Sequence, residues 1–137
     1  MIDNEARMQH ADTVRKFADA FAERDNDAAF ALLNEDVVLE PLRAQLEGGS
    51  YSGHDGYLEV LAMFEEDWEN LQLALDDLYE GNGMVVAVGH LIARGRVSGV
   101  DLDVPLALRY EFRDDRISRI ESYSDASQAL EAAGIDR

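Results

Sequence analysis

Residues Arg24–Pro41, with the sequence RDNDAAFALLNEDVVLEP, decide the fold of this chain more than any other stretch. Asp25 or Asn26 is placed to cap a short helix, because either side chain can accept a hydrogen bond from a backbone N–H. Residues 27–33 carry apolar side chains at helical spacing and predict that helix. The β-branched residues within 36–41 then predict a strand, which a proline interrupts at its end. The predicted unit is therefore a short helix that leads directly into a strand.

Apolar periodicity predicts two further helices around this unit. A first helix is predicted over residues 5–23, because four apolar residues fall at i, i+3, i+4 and i+7. These residues are Val14, Phe17, Ala18 and Phe21. Residues 42–52 are predicted as a loop, and a third helix is predicted near 56–68. Its apolar stripe is predicted to consist of Leu58, Leu61, Phe64 and Trp68.

After Trp68 the period of the apolar residues changes from that of a helix to that of a strand. Strands are predicted to begin near Leu71 and to cover residues 84–96, 102–112 and 116–124. In the strand 102–112 the even positions are apolar and several odd positions are charged, so one face is buried and one is solvated. Gly81-Asn82-Gly83 predicts a turn, since these residues tolerate positive φ. A last helix is predicted over 126–133, capped by Asp125 and ended by Gly134.

Three helices followed by an antiparallel meander of four strands predict an α+β fold. A twisted sheet of long strands curls, and helices against its concave face leave a cone with an open mouth. The 137 residues predict a single domain over 1–137. The strands predict a curved antiparallel sheet that wraps around the N-terminal helices.

Composition excludes several classes of function. The chain carries 29 Asp and Glu against 12 Lys and Arg, so its formal net charge is −17. The electric field of this negative charge repels phosphate backbones and anionic bilayers, so we expect neither nucleic acid nor membrane as a partner. The absence of cysteine excludes disulfides, thiolate catalysis and zinc–sulfur sites. An acidic start and the lack of any apolar run of about eighteen residues predict a cytoplasmic protein.

Ordered motifs along the whole chain resemble the SnoaL-like group of the nuclear transport factor 2 (NTF2)-like superfamily. The motifs are F-A-x-A-F at Phe17–Phe21, D-x-A-x-x-L-L at Asp27–Leu33, D-V-V at Asp36–Val38, Y-x-G-x-x-G at Tyr51–Gly56, A-R-G-R-x-S-G at Ala93–Gly99, E-F-R-D-x-R-I at Glu111–Ile117 and Y-x-D-x-x-x-A-L-x-A-x-G at Tyr123–Gly134. The resemblance implies the cone fold of this superfamily, a cystatin-like roll. It also implies a homodimer that forms through the outer face of the sheet.

The resemblance does not carry over the known chemistries of the superfamily residue by residue. Where ketosteroid isomerases have a donor Tyr and an oxyanion Asp, this chain has Phe17 and Leu108. The base position of those isomerases falls on Glu40 or Pro41. Where limonene-epoxide-type hydrolases have an Asp in the last strand, this chain has Ser122. Acid–base catalysis of the polyketide-cyclase type stays open, with His90 as the titratable group.

Three residues are the candidate catalytic groups. If the strands 84–96 and 102–112 pair even with even, His90 and Arg94 face the interior of the cone. Burial would then keep the imidazole neutral and able to act as a base, unless it is a structural histidine. Arg94 is either an anion clamp or the salt-bridge partner of Glu40 or Glu121. Glu40 is the candidate carboxylate, with a solvated strand-end acid as the alternative.

These residues predict a protein that holds a small hydrophobic molecule, either as an enzyme or as a non-catalytic binding or dimerisation domain. The expected reaction is acid–base catalysis without a cofactor on a ring or carbonyl compound, and the scattered histidines predict no metal site. The candidate ligand-binding residues are Tyr51, Trp68, Leu108, Tyr110 and Ser122. Core packing is the alternative role for the three aromatic residues among them.

Overall fold

The computed structural model describes residues 2–41 and 50–136. Its helices are α1 (Ile2–Glu23), α2 (Asn26–Leu32), α3 (Gly53–Glu65) and α4 (Ala126–Ala133). Its strands are β1 (Leu33–Glu40), β2 (Tyr51–Ser52), β3 (Trp68–Gly81), β4 (Met84–Gly95), β5 (Asp101–Arg113) and β6 (Arg116–Tyr123). The α+β class predicted from the sequence is confirmed.

One sheet contains the six strands in the order β2-β1-β6-β5-β4-β3. The strands β3 to β6 form the predicted antiparallel meander. β1 joins it by pairing with β6 in parallel, and β2 pairs with β1 at the sheet edge. The sheet therefore brings the end of β1, the end of β6 and the middle of β5 to the same place.

Local sequence signals set several of these boundaries. Asp25 caps α2 by accepting a hydrogen bond from the N–H of Ala28 at 3.2 Å. Asp125 caps α4 through the N–H of Ser127 at 2.7 Å, and Gly134 ends that helix at φ +68°. The predicted turn at Asn82–Gly83 joins β3 to β4, with positive φ at both residues. These predicted caps and turns are confirmed.

Several predicted boundaries differ from the structure. Leu33 begins β1 and does not end α2, because its backbone is extended at φ −104° and ψ 140°. α3 begins at Gly53 and ends at Glu65, so Trp68 is the first residue of β3 and not part of a helix. Of the loop predicted over 42–52, residues 42–49 lie outside the described part of the chain, and Tyr51–Ser52 form a short strand.

Two layers of core lie on the two faces of the sheet. On the inner face, α1 and α3 bury the predicted stripe of Val14, Phe17 and Phe21 against the strands. On the outer face, α4 buries Leu130 and two alanines against β4 and β5. Among residues 2–41 and 50–136, no helix is long and apolar enough to cross a membrane.

Candidate functional site

The hairpin between β4 and β5 decides which side chains face the inside of the cone. β4 ends at Gly95 and β5 begins at Asp101, but the N–H of Gly95 donates to the carbonyl of Val100 at 2.8 Å and continues the pairing by one residue on each side. Residues 96–99 form the loop between this last pair. An even number of loop residues pairs odd positions with even positions, so Leu91 lies opposite Val104 and Ala87 lies opposite Leu108. Because directly opposed residues share a face, β4 presents its odd positions to the interior, together with the even positions of β5.

The prediction that His90 and Arg94 face the interior is therefore wrong. His90 lies on the outer face, where its side chain is 43% exposed. Its Nδ1 is 2.6 Å from a carboxylate oxygen of Asp103, and its Nε2 is 3.5 Å from Asp76. Arg94 is exposed and lies opposite Glu69 and Asp101. The physical reason is the length of the loop. Pairing even positions with even positions would need a loop of five residues, and the loop at 96–99 has four.

A cavity of about 400 Å³ lies between the helices and the inner face of the sheet. The helices line it with Phe17, Phe21, Tyr57, Val60 and Phe64. The strands line it with Leu73, Leu91, Leu106, Leu108, Tyr110 and Ile120. Glu40, Pro41, Val104 and Ser122 also contribute to the wall. Its volume is that of a typical small-molecule site, and its wall is mostly apolar.

Two tyrosines supply buried polar atoms in this apolar wall. Tyr110 of β5 is fully buried, and Tyr57 of α3 is 3% exposed. The ring of Phe17 lies between them, with centroid distances of 5.6 Å to Tyr57 and 6.5 Å to Tyr110. Within the described ranges, neither hydroxyl has a hydrogen-bond partner. A buried hydroxyl left without a partner costs about 1 to 3 kcal/mol, so this arrangement needs a physical reason.

Burial also fixes the protonation state of the two phenols. It raises the pKa of Tyr57 to about 12, and a nearby Arg24 only partly offsets that rise. Burial raises the pKa of Tyr110 as well. Both phenols therefore remain neutral near pH 7 and can donate a hydrogen bond, but they cannot serve as bases.

The carboxylate of Glu40 belongs to the outer face and not to the interior. Leu39 and Ile120 are opposed on the inner face, so the next pair, Glu40 and Glu121, points outward. The Glu40 carboxylate accepts a hydrogen bond from Arg119, whose Nε also donates to Glu121 at 2.8 Å. The predicted pairing of these carboxylates with Arg94 is therefore wrong. Arg119 and Arg109 bind them instead.

These contacts are part of a continuous ionic network on the outer face of β1, β6 and β5. The outer-face network consists of Glu40, Arg109, Glu111, Arg119, Glu121 and Tyr123. The Arg109 side chain is 10% exposed and contacts Glu121 at 2.8 Å. Burial alone would lower the pKa of Arg109, but its hydrogen bonds raise it. Burial alone would raise the pKa of Glu121, but hydrogen bonds from Tyr123 and the two arginines lower it to about 2.

The candidate ligand-binding residues fall into two groups. Leu108, Tyr110 and Ser122 line the cavity, whereas Tyr51 and Trp68 do not. Tyr51 donates to the sulfur of Met63 at 3.7 Å, and Trp68 packs at the edge of the inner core opposite Gly95. The alternative role of core packing fits these two aromatic residues better.

Sequence reasoning missed Tyr57, although a signal for it was present. Tyr57, Leu61 and Phe64 are spaced i, i+4 and i+7, which places them on one face of α3. The apolar stripe predicted for this helix used Leu58 instead, and Leu58 is 38% exposed. Among the side chains of residues 10–41 and 50–136, no three His, Asp or Glu group in a way that could hold a metal ion.

Comparison with solved structures shows the same fold at low sequence identity. An NTF2-like protein of unknown function from Burkholderia pseudomallei is 22% identical, with a TM-score of 0.75, and the match covers 90% of this chain and 95% of that one. A putative polyketide cyclase from Xanthomonas campestris is 19% identical, with a TM-score of 0.76 and coverages of 93% and 98%. A putative SnoaL-like polyketide cyclase from Shewanella putrefaciens is 16% identical, with a TM-score of 0.72 and coverages of 91% and 95%.

Comparison of sequences gives the family. No curated protein sequence matches this chain significantly. The family model of the SnoaL-like domain matches residues 14–120, which include α2, α3, the strands β1 to β5 and the lining residues of the cavity except Ser122. The cone fold, the ordered motifs and this match agree: the chain belongs to the SnoaL-like domain family and has the fold of NTF2-like proteins.

Proposed function

We propose that this protein binds a neutral, largely apolar small molecule that carries a hydrogen-bond acceptor oxygen. The observation that supports the proposal is the apolar cavity of about 400 Å³ with the two buried tyrosine hydroxyls in its wall. The two hydroxyls are buried behind the apolar surface of the cavity, so a ligand oxygen would accept their hydrogen bonds once the side chains that cover them move aside. The hydrocarbon part of the ligand would fill the remaining volume.

The charge of the wall supports a neutral ligand. Among the described residues that line the cavity, Glu40 is the one acidic or basic residue, and Arg119 binds its carboxylate on the outer face. A charged ligand would lose its hydration and gain no opposite charge in return, which costs several kcal/mol. Anionic and cationic molecules of the same size should therefore bind much more weakly.

The proposal is tested by a matched set of ligands. Propyl phenyl ketone, butylbenzene and 4-phenylbutanoate have similar sizes but differ in carrying a carbonyl, no polar group and a carboxylate. We expect isothermal titration calorimetry to rank the ketone first and the carboxylate last. Loss of one hydrogen bond in Tyr57→Phe or Tyr110→Phe should weaken ketone binding by about fivefold in at least one variant.

Butylbenzene is the control for that experiment, because it makes no hydrogen bond to either tyrosine. Its affinity should be the same in the wild type and in both Phe variants. Equal losses for the ketone and the hydrocarbon would show a change of cavity shape and would contradict the assigned role of the hydroxyls. Stronger binding of the carboxylate than of the ketone would contradict the neutral ligand class.

A second candidate is catalysis of a rearrangement in which negative charge develops on a carbonyl oxygen. Neutral phenols can stabilise such an oxyanion, and two of the similar structures are described as putative polyketide cyclases. This reaction also needs a proton acceptor, and the carboxylate of Glu40 already binds Arg119. Binding without turnover is therefore the preferred function. Detection of a product formed from a bound ketone would make catalysis the preferred function instead.

A further inference from the structure

The apolar inner face of β5 continues beyond the cavity. Val104 lines the cavity and is 37% exposed, Leu102 is half-buried, and Val100 is 59% exposed. The pairs Leu91–Val104, Ala93–Leu102 and Gly95–Val100 have one continuous register, so these side chains share the inner face. We name Val100, Leu102 and Val104 the β5 apolar row.

The row differs from ordinary exposed hydrophobic residues. Single exposed apolar side chains are common on protein surfaces and need no explanation. Here two of the large exposed hydrophobic residues, Val104 of β5 and Val100 directly before it, lie on the same face four positions apart, in line with the cavity wall. Asp101 and Asp103 alternate with them on the outer face and are exposed. The segment therefore has the pattern of a strand with one covered face, although its apolar face is open to solvent.

We propose that the ligand is longer than the cavity and that its hydrocarbon chain leaves the mouth along the β5 apolar row. This inference rests on the proposed function, because it extends the same ligand beyond the same cavity. The row adds about 14 Å of apolar contact, the length of four strand residues. The ligand class is a neutral molecule with an acceptor oxygen at the tyrosine end and an extended alkyl chain at the other end.

A series of alkyl phenyl ketones from methyl to nonyl tests the proposal. Once the cavity is filled, each further methylene should still tighten binding by about twofold to fourfold, because it contacts the row. Val100→Ser should remove most of this gain for the long ketones and leave the short ketones unchanged. Isothermal titration calorimetry gives both trends.

Val97→Ser is the matched control. Val97 lies in the same hairpin and is fully exposed at 102%, but it lies in the loop beyond the row. This variant should reproduce the wild-type series. Equal losses in both variants would overturn the proposal, because the effect would then not depend on the row.

Three other results also test the proposal. Affinity that stops rising once the cavity is filled would overturn the extended ligand and leave the proposed function intact. A change in the oligomeric mass of unliganded Val100→Ser, measured by light scattering, would assign the row to a contact between two copies and overturn the proposal. Failure of every ketone to bind would refute the proposed function, and this inference with it.

Discussion

Two tyrosine hydroxyls on opposite faces of β5 and β6 differ in whether they have a hydrogen-bond partner. On the inner face, the Tyr110 hydroxyl is buried in an apolar wall and has no partner within the described part of the chain. On the outer face, the Tyr123 hydroxyl donates to Glu121, which also binds two arginines. Satisfied polar groups stabilise a fold, whereas a buried group without a partner costs stability. The outer face therefore serves stability, and the inner face has the arrangement on which the proposed binding rests.

Removal of Arg109 should have the largest effect on stability. Its side chain is 10% exposed and binds Glu111 and Glu121. Arg109→Gln therefore removes a positive charge that binds both carboxylates. We expect the free energy of unfolding in urea to fall by about 3 kcal/mol. Ketone affinity, measured where the variant is folded, should not change.

Arg113→Gln is the control for that prediction. Arg113 and Asp36 also form an ion pair, but their side chains are 56% and 68% exposed. Solvent screens such a pair, so its loss should cost less than about 1 kcal/mol. Equal costs for the two variants would show that the outer-face network is no more than a set of surface charges.

The outer-face network should also make stability depend on pH. The pKa of Glu121 is lowered to about 2 in the folded protein, from an ordinary value of 4.5. A carboxyl with a lowered folded pKa contributes stability that is fully present above the unfolded pKa and is lost as the pH falls through the folded pKa. The difference in urea midpoint between the wild type and Glu121→Gln should be largest above about pH 4.5 and should shrink towards pH 2. A constant difference would contradict the lowered pKa.

Two Tyr→Phe substitutions compare the faces directly. Tyr123→Phe loses a hydrogen bond to a carboxylate, and should lower the free energy of unfolding by about 1 to 2 kcal/mol. Tyr110→Phe removes a buried hydroxyl that costs stability, and should raise the free energy of unfolding of the ligand-free protein by up to about 1 kcal/mol. Thermal unfolding of both variants measures the contrast. A similar loss in both would mean that the Tyr110 hydroxyl is satisfied.

Elements with a clear apolar period could be predicted from the sequence. The α1 stripe and the even positions 106–112 of β5 face the core as predicted, because each of these segments has one covered face. Caps and turns were also predictable, since Asp125, Gly134 and the turn at Asn82 act on their own neighbours in the sequence. The α+β class follows from these local signals.

The candidate site was less predictable, because it depends on the register of β4. Val85, Val86 and Ala87 are all buried, since α3 and α1 cover one side of the sheet and α4 covers part of the other. A strand buried on both faces has no alternating pattern that shows which side chains point inward. The loop of residues 96–99 then decides the register. The pairing of Glu40 with Arg119 depends on β1 lying beside β6, which no local pattern indicates.

The smallest effect is expected at His90, which the sequence favoured as a catalytic group. His90→Ala removes two contacts to exposed carboxylates on the outer face, so the free energy of unfolding should change by less than about 1 kcal/mol. Ketone affinity should not change, because the imidazole is on the far side of the sheet from the cavity. Leu91→Ala is the matched substitution one residue along β4, where the side chain lines the cavity, and it should weaken ketone binding by about tenfold. If His90→Ala weakened binding more than Leu91→Ala, the register of β4 and the assignment of the two faces would both be wrong.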